Sequence, residues 1–286
     1  MPFSAISQLD LSELPAPEVV ETLDFEVIFA AMLADLRMRD PVFDALVESD
    51  PAYKVLQVAA WRELLLRARV NDAARGLMLA FATGGNLDQI GANKGVVRLE
   101  GESDTDFRKR IQLSPEGYTT AGSEGAYIFH GLSADPDVKD IQAVSPEPGE
   151  VVIYVLSRTG DGTAAAPLLA AVDAALSADT VRPLTDQVTV QSADVTTYAI
   201  TAELTIYPGP DAEIVRAAAE AAVTAYAAAV HRLGYDVTLS GLYAALHRDG
   251  VQGVALTAPL ANLVASDGEA FFANAITVTV AGAPDV

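Results

Sequence analysis

Gly84-Gly85-Asn86-Leu87-Asp88-Gln89-Ile90-Gly91 opens a run of short motifs that begins after Thr83 and reaches Ala126. It continues through Arg98-Leu99-Glu100-Gly101-Glu102-Ser103-Asp104, then Phe107-Arg108-Lys109-Arg110-Ile111 and Ser114-Pro115. Thr120-Ala121-Gly122-Ser123 closes it, with Tyr127 just beyond. Ser103-Asp104-Thr105-Asp106 has the form of a helix cap with an acidic residue at the third position, which predicts a short helix through Ile111. Ser123 predicts a cap for a second helix over Glu124 to Leu132. Gly84-Gly85 reads as the stop of a long helix before it.

Working outward from that stretch, Glu18 to Arg39 carries Val20, Leu23, Val27, Phe29, Met32, Leu33 and Leu36 at near-helical spacing. Tyr53 to Phe81 does the same with Val55, Val58, Trp61, Leu65, Val70, Leu77 and Phe81. Asp40-Pro41 and Asp50-Pro51 each suit an aspartate cap followed by proline at the first helical position. Arg62 to Arg75 holds much of the positive charge. The apolar face of these helices either closes a core of its own or packs against helices of another subunit.

After Val138 the period changes. Val138-Ile141-Val144 and Val151 to Leu156 predict strands, turned at Pro146 and Pro148. A helix over Ala164 to Leu176 and a strand over Gln187 to Gln191 complete a ββαβ unit. Val195 to Tyr207 predicts a long strand, broken by Pro208-Gly209-Pro210. Asp211 to Leu233 predicts an Ala-rich helix with Ile214, Val215, Val223, Tyr226, Val230 and Leu233 on one stripe, ended by Gly234. A short strand at Val237-Leu239, a helix capped by Ser240 and running to His247, and strands at Val251-Leu256 and Ile276-Val280 follow. The fold class is therefore α+β: an N-terminal helical region, residues 1–113, then two small α+β domains, 114–191 and 192–286.

Ser145-Pro146-Glu147-Pro148-Gly149-Glu150-Val151 and Val181-Arg182-Pro183-Leu184-Thr185-Asp186-Gln187-Val188 extend the motif series. In this order the set resembles the baseplate protein J family of contractile-tailed phages and phage-tail-like particles. The resemblance spans residues 83–191 and is weaker on both sides. Glycine, proline, aspartate and arginine are common in loops, so the shared order carries it and no single motif does. It implies a structural subunit of a baseplate wedge, joining its neighbours into a ring around the tail hub, and no enzyme. The implied partners are a second copy within the wedge, other wedge proteins and hub or tube-end proteins. The implied location is a virion or phage-tail-like particle, assembled in the host bacterial cytoplasm. Leu87, Asp88, Arg98, Asp106, Arg108, Tyr127, Arg182 and Asp186 are the motif residues expected to fix domain geometry, with the arginines pairing nearby carboxylates.

Composition narrows the chemistry. With 286 residues, 51% of them hydrophobic, the chain can bury two or three cores. It has no cysteine, so disulfides and thiolate metal sites are excluded. His130, His231 and His247 are too far apart in sequence to form a ligand pair on one helix turn. Eighteen basic residues against 39 acidic give a net charge of −21, which argues against nucleic acid and anionic lipid as partners. No apolar run is long enough for a membrane-spanning helix. Met1 to Leu14 has Asp10 and Glu13 but no basic residue, unlike a signal peptide.

Three motifs imitate active sites. Gly160-Asp161-Gly162-Thr163-Ala164-Ala165 matches G-x-G-x-x-A after a strand and offers the alternative of a dinucleotide-binding enzyme. Against it, Ser157-Arg158-Thr159 separates strand from glycine, and Pro167 lies in the helix that would follow. Ala121-Gly122-Ser123-Glu124-Gly125 lacks the first glycine of a nucleophile elbow. Glu102, Asp104 and Asp106 lie among Arg98, Arg108 and Arg110, which suits salt-bridged surface better than paired-acid hydrolysis or calcium binding. No catalytic, cofactor or metal residue is assigned. A scaffold or binding module of another assembly is the remaining alternative.

Overall fold

The first two α-helices of the chain each begin beside an aspartate, but only the first uses that aspartate as a cap. The computed structural model describes residues 11, 14, 15, 17, 19, 21–118, 122–209 and 211–281. Expectations resting on Met1 to Asp10, Glu13, Glu18, Val20, Thr120-Ala121 and Pro210 lie outside those residues. Of the described residues, one compact unit holds those up to Arg98 together with Ser103–Ile111. The other holds Leu99–Glu102 and those from Gln112 onward.

In the first unit, α1 spans Phe25–Arg39. The Asp24 carboxylate accepts the Glu26 N–H at 2.8 Å, and residues 21–24 are not helical, so the helix starts later than Glu18. Asp40 caps only a 3-10 turn, Pro41–Phe43. Helix α2 spans Pro51–Gly76, with proline at its start as expected. Asp50, however, turns its carboxylate back to the Val47 N–H at 2.9 Å and caps nothing. Helix α2 also stops at Gly76, short of Phe81. Gly84-Gly85 ends no helix; it starts α3, Gly84–Asn93. A glycine at φ +51° can flank either end of a helix, and here the Gly84 N–H is received by Asp104 at 3.0 Å.

Helices α1 and α2 pack through Ile28, Phe29 and Ala60, supported by Phe25, Met32, Leu33, Tyr53, Leu56 and Leu64. The Phe29 and Tyr53 rings meet edge to face at 4.8 Å. Buried Asn71 fixes the approach to α1 by pairing with both backbone groups of Glu21, at 3.0 and 2.8 Å. Helix α4, Asp104–Leu113, starts as predicted: Ser103 Oγ accepts the Asp106 N–H and donates to the Asp106 carboxylate.

In the second unit, α5 spans Glu124–Leu132 under the expected Ser123 cap. Strands β1 (Val138–Val144) and β2 (Glu150–Ser157) form an antiparallel pair. Helix α6 (Ala166–Leu176) crosses over to β3 (Gln187–Ser192), which runs parallel to β2, giving the predicted ββαβ unit. Tyr127, Ile141, Ile153, Val155, Leu168, Val172 and Leu176 fill its core.

The second sheet has the order β5-β4-β6, built from β4 (Asp194–Ile206), β5 (Val251–Ala258) and β6 (Glu269–Val280). Helices α7 (Ala212–Val230) and α8 (Leu239–Leu246) supply the rest of that core. Helix α7 ends before Leu233, and its buried stripe is Val215, Ala219, Val223 and Ala227, four residues apart. Ile214, expected on the stripe, is 70% exposed. Val237 makes one bridge, to Leu263, and no strand. Thr238 and not Ser240 caps α8, accepting the Gly241 N–H at 3.1 Å. β6 begins at Glu269, before the alternation that starts at Ile276. No helix among the described residues is long and apolar enough to cross a membrane.

Candidate functional site

Five of the eight motif residues gather in the first unit. Leu87, on α3, is fully buried. Arg98 bridges two carboxylates, with Nε 2.7 Å from Asp88 and Nη2 2.7 Å from Asp104. Its guanidinium also lies 4.5 Å from the centre of the buried Phe107 ring, and Arg110 lies 5.5 Å from the same ring. The Gly84 N–H holds Asp104 below the usual carboxylate range, with Arg98 and Arg108 adding to the effect. Asp106 closes the Ser103 cap.

Arg108 departs from the expected carboxylate pairing. Its Nε donates to Leu79 O at 2.8 Å and its Nη2 to Ala82 O at 2.7 Å. Those carbonyls belong to the turn after α2, where the helix has ended and no helical amide remains to satisfy them. Arg110 likewise donates to Val97 O at 2.7 Å. Gly91 is needed for the same brace: a Cβ there would meet the Phe107 ring and the Val96 carbonyl.

The other three residues come together in the second unit. Tyr127 is buried, and its hydroxyl donates to Asp186 Oδ2 at 2.9 Å. Burial first, and Asp186 second, push the phenol well above its ordinary range, so it stays protonated and a donor. Gly122, at φ +68°, lets the chain pass close by; a Cβ there would lie 2.6 Å from Pro183 and 2.7 Å from Asp186. Arg182 is exposed, its charge acts on Tyr127, and among the described residues no carboxylate pairs with it. The structure therefore splits the motif series into two braces, one in each unit.

The same order of segments recurs in known proteins. The profile of the Baseplate J-like N-terminal domain matches residues 48–103, that of the Baseplate J-like central domain 119–192, and that of the Baseplate J-like protein C-terminal domain 198–279. Baseplate protein J of Escherichia phage P2 is 48% identical over 299 residues, covering 97% of this chain and 99% of that protein. The chain belongs to the Baseplate J-like family.

In this Baseplate J-like chain Gly160 faces open space, but the loop closes on the protein itself at Gly162. Ser157 N–H donates to Gly162 O at 2.8 Å, and the Ser157 and Thr159 hydroxyls both donate to Asp137 at 2.7 Å. A Cβ on Gly162 would meet Leu156 at 2.6 Å and His231 at 3.0 Å, so side chains already occupy the space a pyrophosphate would need. His231 is buried, with Nδ1 2.8 Å from Phe271 O, and burial lowers its pKa. Burial also lowers His130. Among the described residues, no group of three or more His, Asp or Glu side chains is arranged to hold a metal ion.

Sequence reading picked out one apolar set on α2 and missed the set that packs on α1. Leu56, Ala60 and Leu64 face α1, and half-exposed Trp61 reaches the Phe25 ring of α1 at 6.4 Å, whereas Val55 (68% exposed), Val58 (63%), Leu65 (43%) and Val70 (59%) do not pack there. These exposed residues are the very stripe that the spacing picked out. Two apolar sets in one 26-residue helix were the available signal. Exposed Arg62 and Arg69 lie alongside them.

Proposed function

We propose that this chain is a structural subunit of a contractile-tail baseplate and acts by joining neighbouring subunits of a wedge. The observation that carries this reading is the outward face of α2. Val55, Val58 and Leu65 stand in water on one side of this helix, away from the face that packs on α1. Burying a valine or leucine of this kind yields about 1.5–3 kcal/mol, so leaving several exposed is costly unless something covers them. A two-faced helix is what a multi-helix bundle between subunits requires.

In this reading residues 1–113 form the bundle, with a second copy and other wedge proteins as the other helices. The α+β domains, 114–191 and 192–286, meet the adjacent wedge and close the ring around the hub and tube end. The three family matches support that division, falling one to each part with the central one passing the border by a residue. Head-to-tail contacts close into a ring when the rotation divides a full turn. The name of the phage P2 relative supports placing the subunit in the tail of a virion or phage-tail-like particle, and assembly in the host cytoplasm is part of the same proposal. The two braces described above then serve to hold each part in shape.

The test replaces Val58 and Leu65 together by Glu and measures both folding and particle yield in a complementation assay. The expected result is an unchanged melting temperature with loss of complete tails. Full yield from the well-folded variant would overturn the reading.

A further inference from the structure

The chain passes from the first sheet to the second with Ala193 alone between β3 and β4. So short a link could act as a hinge, but side chains of β1 reach across it. The register of β1 shifts between Val138 and Asp140, and such bulges re-aim the side chains that follow. The Asp140 carboxylate accepts the Leu233 N–H at 3.1 Å and lies 3.5 Å from Arg232 Nε. Two residues on, and on the same side of the strand, Gln142 uses both ends of its amide. Its Oε1 accepts the Gly268 N–H at 2.7 Å, and its Nε2 donates to Asp267 at 3.2 Å.

These two side chains grip different connections of the second sheet: the turn after α7 and the turn before β6. Beneath them the joint has a dry centre. Leu156, Ala193, Leu233 and Ala270 are buried together, with Tyr154 and Val195 packed on them. The Tyr154 ring lies against Gly268, where any Cβ would run into it. Gly268 O in turn accepts the Asp194 N–H at 2.9 Å, and Ala193 N–H donates to Val155 O at 2.9 Å.

We propose that Asp140 and Gln142 lock the two α+β domains into one rigid lever, so that a displacement at either end is transmitted without bending at Ala193. The lock concerns this chain alone and holds whatever the chain assembles with. It gives β1, an edge strand, a task other than sheet formation: presenting alternate side chains to a second domain.

The absence of cysteine permits a clean test on the full chain. Exposed Ala174 on α6 and Ala228 on α7 are each replaced by Cys, spin-labelled, and their separation is measured by pulsed electron resonance. The parent is expected to give one narrow distance population, and Asp140→Ala with Gln142→Ala a broad one. Gln142→Ala alone, which leaves Asp140 in place, should speed exchange of the Gly268 amide about tenfold while amides within β4 keep their rates. A broad parent distribution, or a folded double variant as narrow as the parent, would overturn the lock. So would unchanged Gly268 exchange in Gln142→Ala.

Discussion

Arg108 directs a fork of two donors at two carbonyls of one turn, a geometry that lysine cannot reproduce. Arg108→Ala leaves Leu79 O and Ala82 O without those donors, and a loss of about 2 kcal/mol is expected, with Arg108→Lys recovering little. Thermal melts of the three proteins check this, and an unchanged melting temperature in Arg108→Ala would remove Arg108 from the brace. Tyr127→Phe, which deletes the hydroxyl facing Asp186, should cost about 1 kcal/mol by the same measurement. Arg182→Ala is expected to impair assembly more than folding, since Arg182 is exposed; normal particle yield would contradict that. The histidines set a pH dependence. His130 and His231 both have pKa values lowered by burial, so the unfolded chain binds more protons than the folded one as pH falls below about 6.5. Stability is therefore full above that value and declines on acidification. Melts from about pH 8 to about pH 5 should show the decline, and His231→Gln should flatten it.

At the scale of elements, α2 separates the two uses of apolar surface. Its inner side chains contribute to the stability of the chain, and its outer ones should matter only in an assembly. Val55→Ser with Leu65→Ser is thus expected to leave the stability of the isolated protein within about 1 kcal/mol of the parent. The same change should abolish co-purification with wedge neighbours, and a large fall in stability would instead place this face in the chain's own core. Elements with a local signal were legible in the sequence: Ser103 and Ser123 announce α4 and α5, and alternation announces β1, β2 and β4. Others depend on partners distant in sequence. Gly84-Gly85 looks like a stop until Asp104, twenty residues on, takes the Gly84 amide. Alanine hides the buried stripe of α7, because Ala219 and Ala227 contribute to the core without standing out beside Ile214. Glu269 to Ala275 carries no alternation, and its pairing with β4 alone makes it strand. The motif residues were visible as a series, but their division between two units and the carbonyl partners of Arg108 arise only from tertiary contacts.

Across the whole molecule, a net charge of −21 opposes contact between copies at long range. On the proposed reading association comes from shaped apolar surface, which α2 would offer on a helix where Arg62, Arg67, Arg69 and Arg75 relieve the surrounding acidity. Added salt screens repulsion between copies and leaves apolar contact intact, so self-association followed by sedimentation should strengthen as salt rises. Weakening with salt would mean that opposite charges, and not apolar surface, hold the copies together. The family assignment and the two-faced helix lead to one place, the end of a contractile tail. Immunogold electron microscopy of particles released by producing cells, with antibody to this chain, tests that placement most directly. Gold at the distal ends of tails is the expected result. Well-formed tails without gold, in lysates where the protein is abundant and its epitopes are accessible, would contradict it.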